Sequence, residues 1–197
     1  MTAALCTVDM AEADTRRWLE RAVIGLNLCP FAKAVYVRGQ IHHAVWLGED
    51  DQGLLDLLLS EAQALVAQTP DVRDTTLLVV PHALTDFLDF NDFIGRAERR
   101  LSRAGFDGTL QLASFHPRYQ FAGTDADDIA NATNRAPYPT LHLLREASVD
   151  RAVEAFPDAE AIFDRNIETL NALGAAGWAA LDVGPGAATR REGPTTS

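Results

Sequence analysis

The sequence is poor in the features that assign a chain to a specialised class of protein. Its only two cysteines, Cys6 and Cys29, allow one bridge at most, so neither a disulfide scaffold nor a zinc ribbon is indicated. No apolar run approaches the roughly 20 residues of a bilayer span, and residues 1–10 lack the basic and apolar stretches of a secretory signal. We therefore expect a cytoplasmic protein without a membrane partner.

Basic residues are also scarce. The 197 residues include 17 Lys and Arg against 28 Asp and Glu, which gives a net charge of −11. A surface of that sign repels phosphate backbones and anionic lipid, so nucleic acid is not an expected partner. Lys33 is the only lysine, and this bias towards arginine means that an arginine alone is weak evidence for a binding site.

Several nucleotide-binding and catalytic motifs are absent. The sequence has no GxGxxG, GxxxxGK[ST], HExxH or GxSxG pattern, so no nucleotide cofactor is predicted. Apolar residues make up 47% of the chain, enough for a hydrophobic core, and we predict one globular domain over residues 1–183. Residues 184–197 contain no apolar side chain larger than alanine, which predicts a disordered tail.

The spacing of apolar residues alternates between strand and helix patterns along the chain. Strands are predicted at 40–47, 75–80, 109–115 and 140–144, with helices beginning near 14, 53, 86, 148 and 157. Successive strand–helix–strand units place the first three strands in one direction. The predicted fold is α/β or α+β: a two-layer sandwich with a four- to five-stranded mixed sheet and helices mainly on one face.

Two histidines follow the predicted ends of strands. His82 and His116 come after the second and third strands, whose carboxyl ends share one edge of the sheet, where open α/β sheets bind ligands. Imidazole titrates near neutrality and suits a general acid or base, or a metal ligand. The alternative is that each is a turn histidine that bonds a local carbonyl.

A loop of more than twenty residues, 116–138, is the strongest functional signal. Its length and its mixture of aromatic, amide and arginine side chains predict a clamp for a small anionic molecule, formed by Arg118, Tyr119, Asn134 and Arg135. Tyr138 lies between two prolines that restrict its backbone. We predict that His116, Arg135 and Tyr138 converge on one pocket. The alternative is that the polar side chains satisfy only the loop's own backbone.

Thiolate and imidazole groups make a metal site a further possible interpretation. Cys29 follows a helix and precedes a proline, and it is either a catalytic nucleophile or a buried, inert thiol. His82, His116, His142 and Cys29 are the candidate metal ligands, and nitrogen with thiolate favours zinc or iron. A core histidine is the alternative for His142.

Three segments of the chain resemble an uncharacterised bacterial family, domain of unknown function 1415. These are residues 24–32 around Cys29, residues 114–121 around His116, and residues 133–145, which end at Arg145. The resemblance implies a bacterial cytoplasmic protein and no particular reaction. Because the third segment includes Arg145, that residue joins the candidate ligand-binding residues.

Three functions are compatible with these residues. The first is a small-molecule enzyme in which His116 transfers a proton, Tyr138 orients it, and the arginine and asparagine side chains hold an anionic or polar metabolite. The second is a zinc- or iron-dependent version of that enzyme. The third is a non-catalytic binding or regulatory module, whose acidic surface would bind a basic protein partner. A concave pocket favours an enzyme over such a module.

Overall fold

Four strands form one mixed sheet in the computed structural model, which describes residues 6–155 and 161–188. The strands are β1 (Ile41–Val45), β2 (Thr75–Val79), β3 (Leu110–Phe115) and β4 (Thr140–Arg145), in the spatial order β1-β2-β4-β3. β1 is parallel to β2, whereas β4 runs antiparallel to both β2 and β3. The first three strands therefore point in one direction, as their connections predicted, and β4 returns between β2 and β3.

Within residues 6–155 and 161–188, six α-helices surround the sheet: α1 (Val8–Trp18), α2 (Ala32–Val37), α3 (Asp51–Ala67), α4 (Phe87–Arg103), α5 (Glu146–Glu154) and α6 (Ile162–Ala180). α1 continues into a π-helical segment, Leu19–Ile24, and a 3-10 helix spans Ile129–Asn134. The α+β class and the four-stranded mixed sheet confirm the predicted fold. No helix in the described ranges combines the length and the hydropathy needed to cross a bilayer.

One face of the sheet packs against α3 and α4. Alternate residues of β2 and β4 point towards these helices, and their contacts form the largest apolar core (Leu54, Leu58, Leu65, Leu78, Val80, Phe90, Phe93, Leu141 and Leu143). Asp50 and Asp86 cap the two helices by accepting hydrogen bonds from backbone N–H groups in the first turn. The prediction of a helix beginning near residue 86 is therefore confirmed, with Asp86 as its cap.

The opposite face of the sheet packs against α1. Trp18 is fully buried against Leu77 and meets the ring of Phe115 edge-on, with ring centroids 5.1 Å apart. Helices thus lie on both faces, more evenly than the predicted arrangement with helices mainly on one face. The reason is that β2 is apolar on both of its faces, so two helical layers are needed to bury it.

The N-terminal helix begins earlier than predicted and binds the C-terminal segment. Thr7 caps α1, so Asp14 lies in the middle of the helix, where its carboxylate accepts hydrogen bonds from the backbone N–H groups of Gly186 and Ala188 at 2.6 and 2.9 Å. The first five residues of the predicted tail, 184–188, therefore pack against α1. Residues 189–197 lie outside the described residues, so the prediction of disorder there stays a prediction.

Candidate functional site

A cavity of about 610 Å³ lies between the second face of the sheet and the helices that cover it. Its volume falls within the range typical of small-molecule sites. The walls are mostly apolar, with Trp18 and Val23 on one side and Val149 and Ala152 on the other. Its size and lining fit a bound small molecule.

All four strands contribute to the floor of the cavity through alternate residues (Ile41, Thr75, Leu77, Gln111, Ala113, Phe115, His142 and Leu144). Successive side chains of a strand point to opposite faces, so the neighbours of these residues belong to the other core. On β3, for example, Leu110 and Leu112 pack towards α3 and α4, whereas Gln111 and Ala113 face the cavity. Short and polar side chains at these positions leave space that a bulkier apolar residue would fill.

The covering helices are only loosely packed around this space. α2 and α5 both line the cavity, and they are the two α-helices in the described ranges that contain no buried residue. The π-helical segment contributes Leu19 and Val23 to the wall, and π-helical turns occur frequently at functional sites. The cavity therefore adjoins the two described α-helices that have no fully buried residue.

His142 is the titratable group of the cavity floor. Its Nε2 lies 2.6 Å from the hydroxyl oxygen of Thr75, and that hydroxyl donates to the carbonyl of Leu143, so Nε2 is the donor in the His142–Thr75 bond. Within the described residues, no hydrogen-bond partner contacts Nδ1. Burial lowers the pKa of His142 to about 4, so the imidazole is neutral at neutral pH, with Nδ1 as a hydrogen-bond acceptor.

Two other predicted residues line the same cavity as His142. Burial raises the pKa of the Cys29 thiol, so the sulfur is protonated at neutral pH rather than an activated thiolate. Arg145 also lies in the wall, but its guanidinium donates to the carbonyls of Leu65, Gln68 and Arg73. The structure therefore brings together Cys29, His142 and Arg145, with the arginine occupied by backbone.

A polar groove of about 270 Å³ adjoins the cavity. Arg38 and Arg151 line both spaces, as does Asp74. The carboxylate of Asp74 accepts a hydrogen bond from the Ser148 hydroxyl at 2.6 Å and lies 4.0 Å from Nε of Arg145. The groove is thus the polar side of an otherwise apolar site.

His116 lies on the opposite face of the sheet from this cavity. Its imidazole is fully buried between Phe87 and Phe90, with ring centroids 5.3 and 5.0 Å away. Nδ1 accepts a hydrogen bond from the backbone N–H of Arg118, and Nε2 lies 3.0 Å from the carbonyl of Leu84. Both nitrogens have backbone partners, which favours the structural interpretation of a turn histidine.

The polar side chains of the long loop also bond mainly to the protein's own backbone. Arg135 donates to the carbonyls of Tyr119 and Ala126, and Asn134 donates to the carbonyl of Ser114. The ligand-binding role of these residues stays a prediction, and their contacts match the alternative that the loop satisfies its own backbone. Arg118 reaches the carbonyl of Thr85 and the carboxylate of Asp86, and Tyr119 packs against Phe87 and Phe121.

Tyr138 and His82 both form hydrogen bonds with Cys6 in the N-terminal segment. The Tyr138 hydroxyl donates to Asp14 at 2.7 Å and accepts from the Cys6 thiol at 3.3 Å, while Nε2 of His82 lies 2.9 Å from the Cys6 carbonyl. Burial, helped by the hydrogen bonds to Cys6 and Asp14, raises the pKa of Tyr138. Because Tyr138 lies on the α1 side and His116 on the α4 side of the sheet, the structure does not bring them to one pocket.

The candidate metal ligands are likewise distributed over different surroundings. His82 is near Cys6, His116 is between two phenylalanines, and His142 shares the cavity wall with Cys29. Among the described residues, no group of three or more His, Cys, Asp or Glu side chains is arranged to hold a metal ion.

We expect His116→Ala to lower the free energy of unfolding by about 3 kcal/mol, because it leaves two backbone groups without partners and a void between aromatic rings. Leu84, whose carbonyl faces the imidazole, has a positive φ of 55°, a conformation that needs support from its surroundings. Urea unfolding measures the change, with His82→Ala as the control at about 1 kcal/mol. Equal losses in the two variants would contradict this structural role.

Sequence reasoning missed Thr75, Gln111 and Ala113, which form much of the cavity floor. The available signal was their position: on β2 and β3, the two strands that flank β4, these three residues occupy a face on which large apolar residues are expected. Arg38 and Arg151 carried no local signal, since exposed arginines are common in this chain.

Comparisons with known proteins agree with the resemblance carried by the three sequence segments. The family described as "Protein of unknown function (DUF1415)" matches residues 10–180, most of the chain. Neither the curated proteins nor the solved structures gave a significant match. By that family match, which includes the cavity floor, Cys29 and His142, the chain belongs to the DUF1415 family.

Proposed function

We propose that this protein binds a small, largely apolar molecule in the cavity between the sheet and helices α2 and α5. The observation that carries the proposal is the cavity itself: about 610 Å³ in volume, mostly apolar, with one neutral imidazole in its floor. Sites for small molecules typically combine an apolar lining with a few convergent polar groups. A bound molecule would also supply the apolar contacts that α2 and α5 lack.

His142 is the group that recognises a polar atom of the bound molecule. Thr75 holds the imidazole by the bond to Nε2, which leaves the lone pair of Nδ1 to accept a hydrogen bond from a hydroxyl, amide or carboxylic acid. The orientation of the ring is fixed in advance by this bond. Binding therefore costs little ordering of the side chain.

A catalytic use of the same site is the second candidate, and it is favoured by the placement of Cys29 and His142 in one wall. The base would then be His142 rather than His116. An imidazole with a pKa of about 4 is a weak base, but an anionic group bound nearby raises its pKa towards the range suited to proton transfer. The expected chemistry is proton transfer within a small metabolite.

The proposed setting is the bacterial cytoplasm. Cys6 and Cys29 are both free in the structure, and a reducing compartment keeps such thiols free. The acidic surface, with a net charge of −11, supports a small molecule rather than nucleic acid as the partner.

Fluorescence quenching by 8-bromooctanoate tests whether the cavity is occupied. Of the three tryptophans, Trp18 lines the cavity, Trp178 packs against the apolar cluster around Trp18, and Trp46 packs on the other face of the sheet. Bromine inside the cavity therefore quenches Trp18 most strongly and does not quench Trp46. We expect saturable quenching that octanoate reverses, that Trp18→Phe largely removes and that the control Trp46→Phe retains. Quenching that Trp18→Phe leaves unchanged would contradict binding in this cavity.

Turnover separates an enzyme from a binding module. Incubation of the protein with a bacterial metabolite extract, followed by mass spectrometry, compares the wild type with His142→Gln. An enzyme consumes a metabolite, and the variant loses that consumption while 8-bromooctanoate still quenches Trp18. A module enriches a metabolite without changing it.

A further inference from the structure

We propose that the bound molecule is an amphipathic anion whose charged group lies between Arg38 and Arg151, at the polar side of the cavity. The inference rests on the proposed function and adds the chemical class and the orientation of the ligand. The first support is the position of the two arginines. The apolar cavity and the adjoining groove share three lining residues, Arg38, Asp74 and Arg151. A molecule that fills the cavity and extends into the groove passes both guanidinium groups.

The two arginines keep donors available for a ligand. Nε of Arg38 donates to the side-chain carbonyl of Gln40 at 2.8 Å, and Nη2 of Arg151 donates to the hydroxyl of Ser148 at 2.9 Å. Within the described residues, each side chain donates only this one hydrogen bond. A guanidinium has five N–H donors, so most donors of both arginines remain available. Both side chains belong to exposed residues, so the donors can reach a group in the groove.

The charges around the groove favour an anion over a cation. Asp74 is the acidic residue that lines the cavity, and its carboxylate already accepts a hydrogen bond from the Ser148 hydroxyl and has Arg145 at 4.0 Å. Asp71 is exposed and offsets one of the two arginines. The groove lining carries two arginines and two aspartates, and Arg145, which lies beside Asp74, adds one positive charge, in a protein whose net charge is −11. A carboxylate matches the planar guanidinium groups, which bind it in bidentate fashion.

The arrangement also determines the orientation of the molecule. α2 carries Arg38 at its C-terminal end, and α5 carries Arg151 on the same side as Val149 and Ala152, which line the apolar wall. The charged group therefore stays at the groove, in contact with solvent, while the apolar body extends over the strands towards Trp18. This avoids the large cost of burying a charge among apolar residues.

The test compares octanoate with octanamide, which has the same chain length without the charge. At about pH 7.5, where the carboxyl group is ionised, we expect octanoate to bind about tenfold more tightly in isothermal titration calorimetry. In Arg38→Gln/Arg151→Gln the two affinities become equal, while the affinity for octanamide is unchanged. Each single variant gives an intermediate ratio, which tests the inference even if the double variant does not fold.

The matched control is Arg100→Gln/Arg103→Gln. These arginines are in the last turn of α4, on the other side of the sheet, and the variant has the same net charge as the test variant. Its ratio of affinities should equal that of the wild type. A ratio near one in the wild type, an unchanged ratio in the test variant, or an equal drop in the control would each overturn the inference while the proposed function stands. If neither compound binds, the proposed function is overturned as well.

Discussion

Replacing Asp14 by alanine should lower the free energy of unfolding by about 3 kcal/mol, because it removes a buried acceptor of three hydrogen bonds. The carboxylate of Asp14 is 1% exposed and receives the Tyr138 hydroxyl and the backbone N–H groups of Gly186 and Ala188. Its loss removes the shared acceptor of these three donors and releases the C-terminal segment from α1. Urea unfolding gives the change in free energy.

Hydrogen exchange of the two backbone amides shows whether the loss has this cause. In Asp14→Ala, the amides of Gly186 and Ala188 should exchange faster, since their acceptor is gone. Asp9→Ala is the control, because Asp9 is an exposed carboxylate in the first turn of the same helix, where its removal costs less than about 1 kcal/mol. Unchanged stability, or unchanged exchange at both amides, would show that the C-terminal segment does not depend on Asp14.

The second large effect is a loss of stability in mild acid caused by His142. Its pKa is about 4 in the folded protein, against about 6.5 in an unfolded chain, so the unfolded state binds more protons between these values. The free energy of unfolding therefore falls as the pH drops through that interval. By linkage, His142 alone accounts for about 2 kcal/mol between about pH 7.5 and about pH 5.

His142→Gln isolates this contribution. Glutamine does not titrate, and its amide can still donate to the hydroxyl of Thr75, so the variant should lose about 2 kcal/mol less than the wild type over the same interval. His43, whose pKa burial also lowers to about 4, contributes a similar loss in both proteins and cancels in the comparison. Equal losses in the wild type and the variant would show that His142 is not held neutral by burial.

The sheet could be predicted because its strands carry their own signal. The alternation in β1 and β3, the apolar run of β2 and the cap at Asp86 are all local features, and the structure has each of these elements near its predicted place. The insertion of β4 between β2 and β3 is set by long-range pairing. No residue of β4 specifies those neighbours on its own, so the strand order could not be predicted.

Asp14 shows why the ends of the domain were harder to predict. An aspartate is a typical helix cap, and the sequence predicts a helix that begins near residue 14. In the structure, its partners Gly186 and Ala188 lie more than 170 residues away along the chain. The same pairing explains why the small residues after Val183 pack against α1 although they lack large apolar side chains.

The candidate site depends on which side of the sheet each residue occupies. The predicted group mixed His116, which is on the α4 side, with Tyr138, which is on the α1 side. The sequence predicts His142 and Cys29 as candidates, but it does not predict the cavity. A cavity forms where neighbouring side chains are too small to fill the space, and those neighbours are set by the three-dimensional fold. Sequence patterns identify chemical groups more readily than empty space.

The chemical shifts of the protein's amides and methyl groups show directly where octanoate binds. The cavity, and not the loop at 116–138, should receive the small molecule. We expect saturable shifts at Ala113, Leu144 and Val149, which line the cavity, and little change at Tyr119 and Arg135. Shifts confined to Tyr119, Arg135 and their neighbours, with none at the cavity residues, would contradict it.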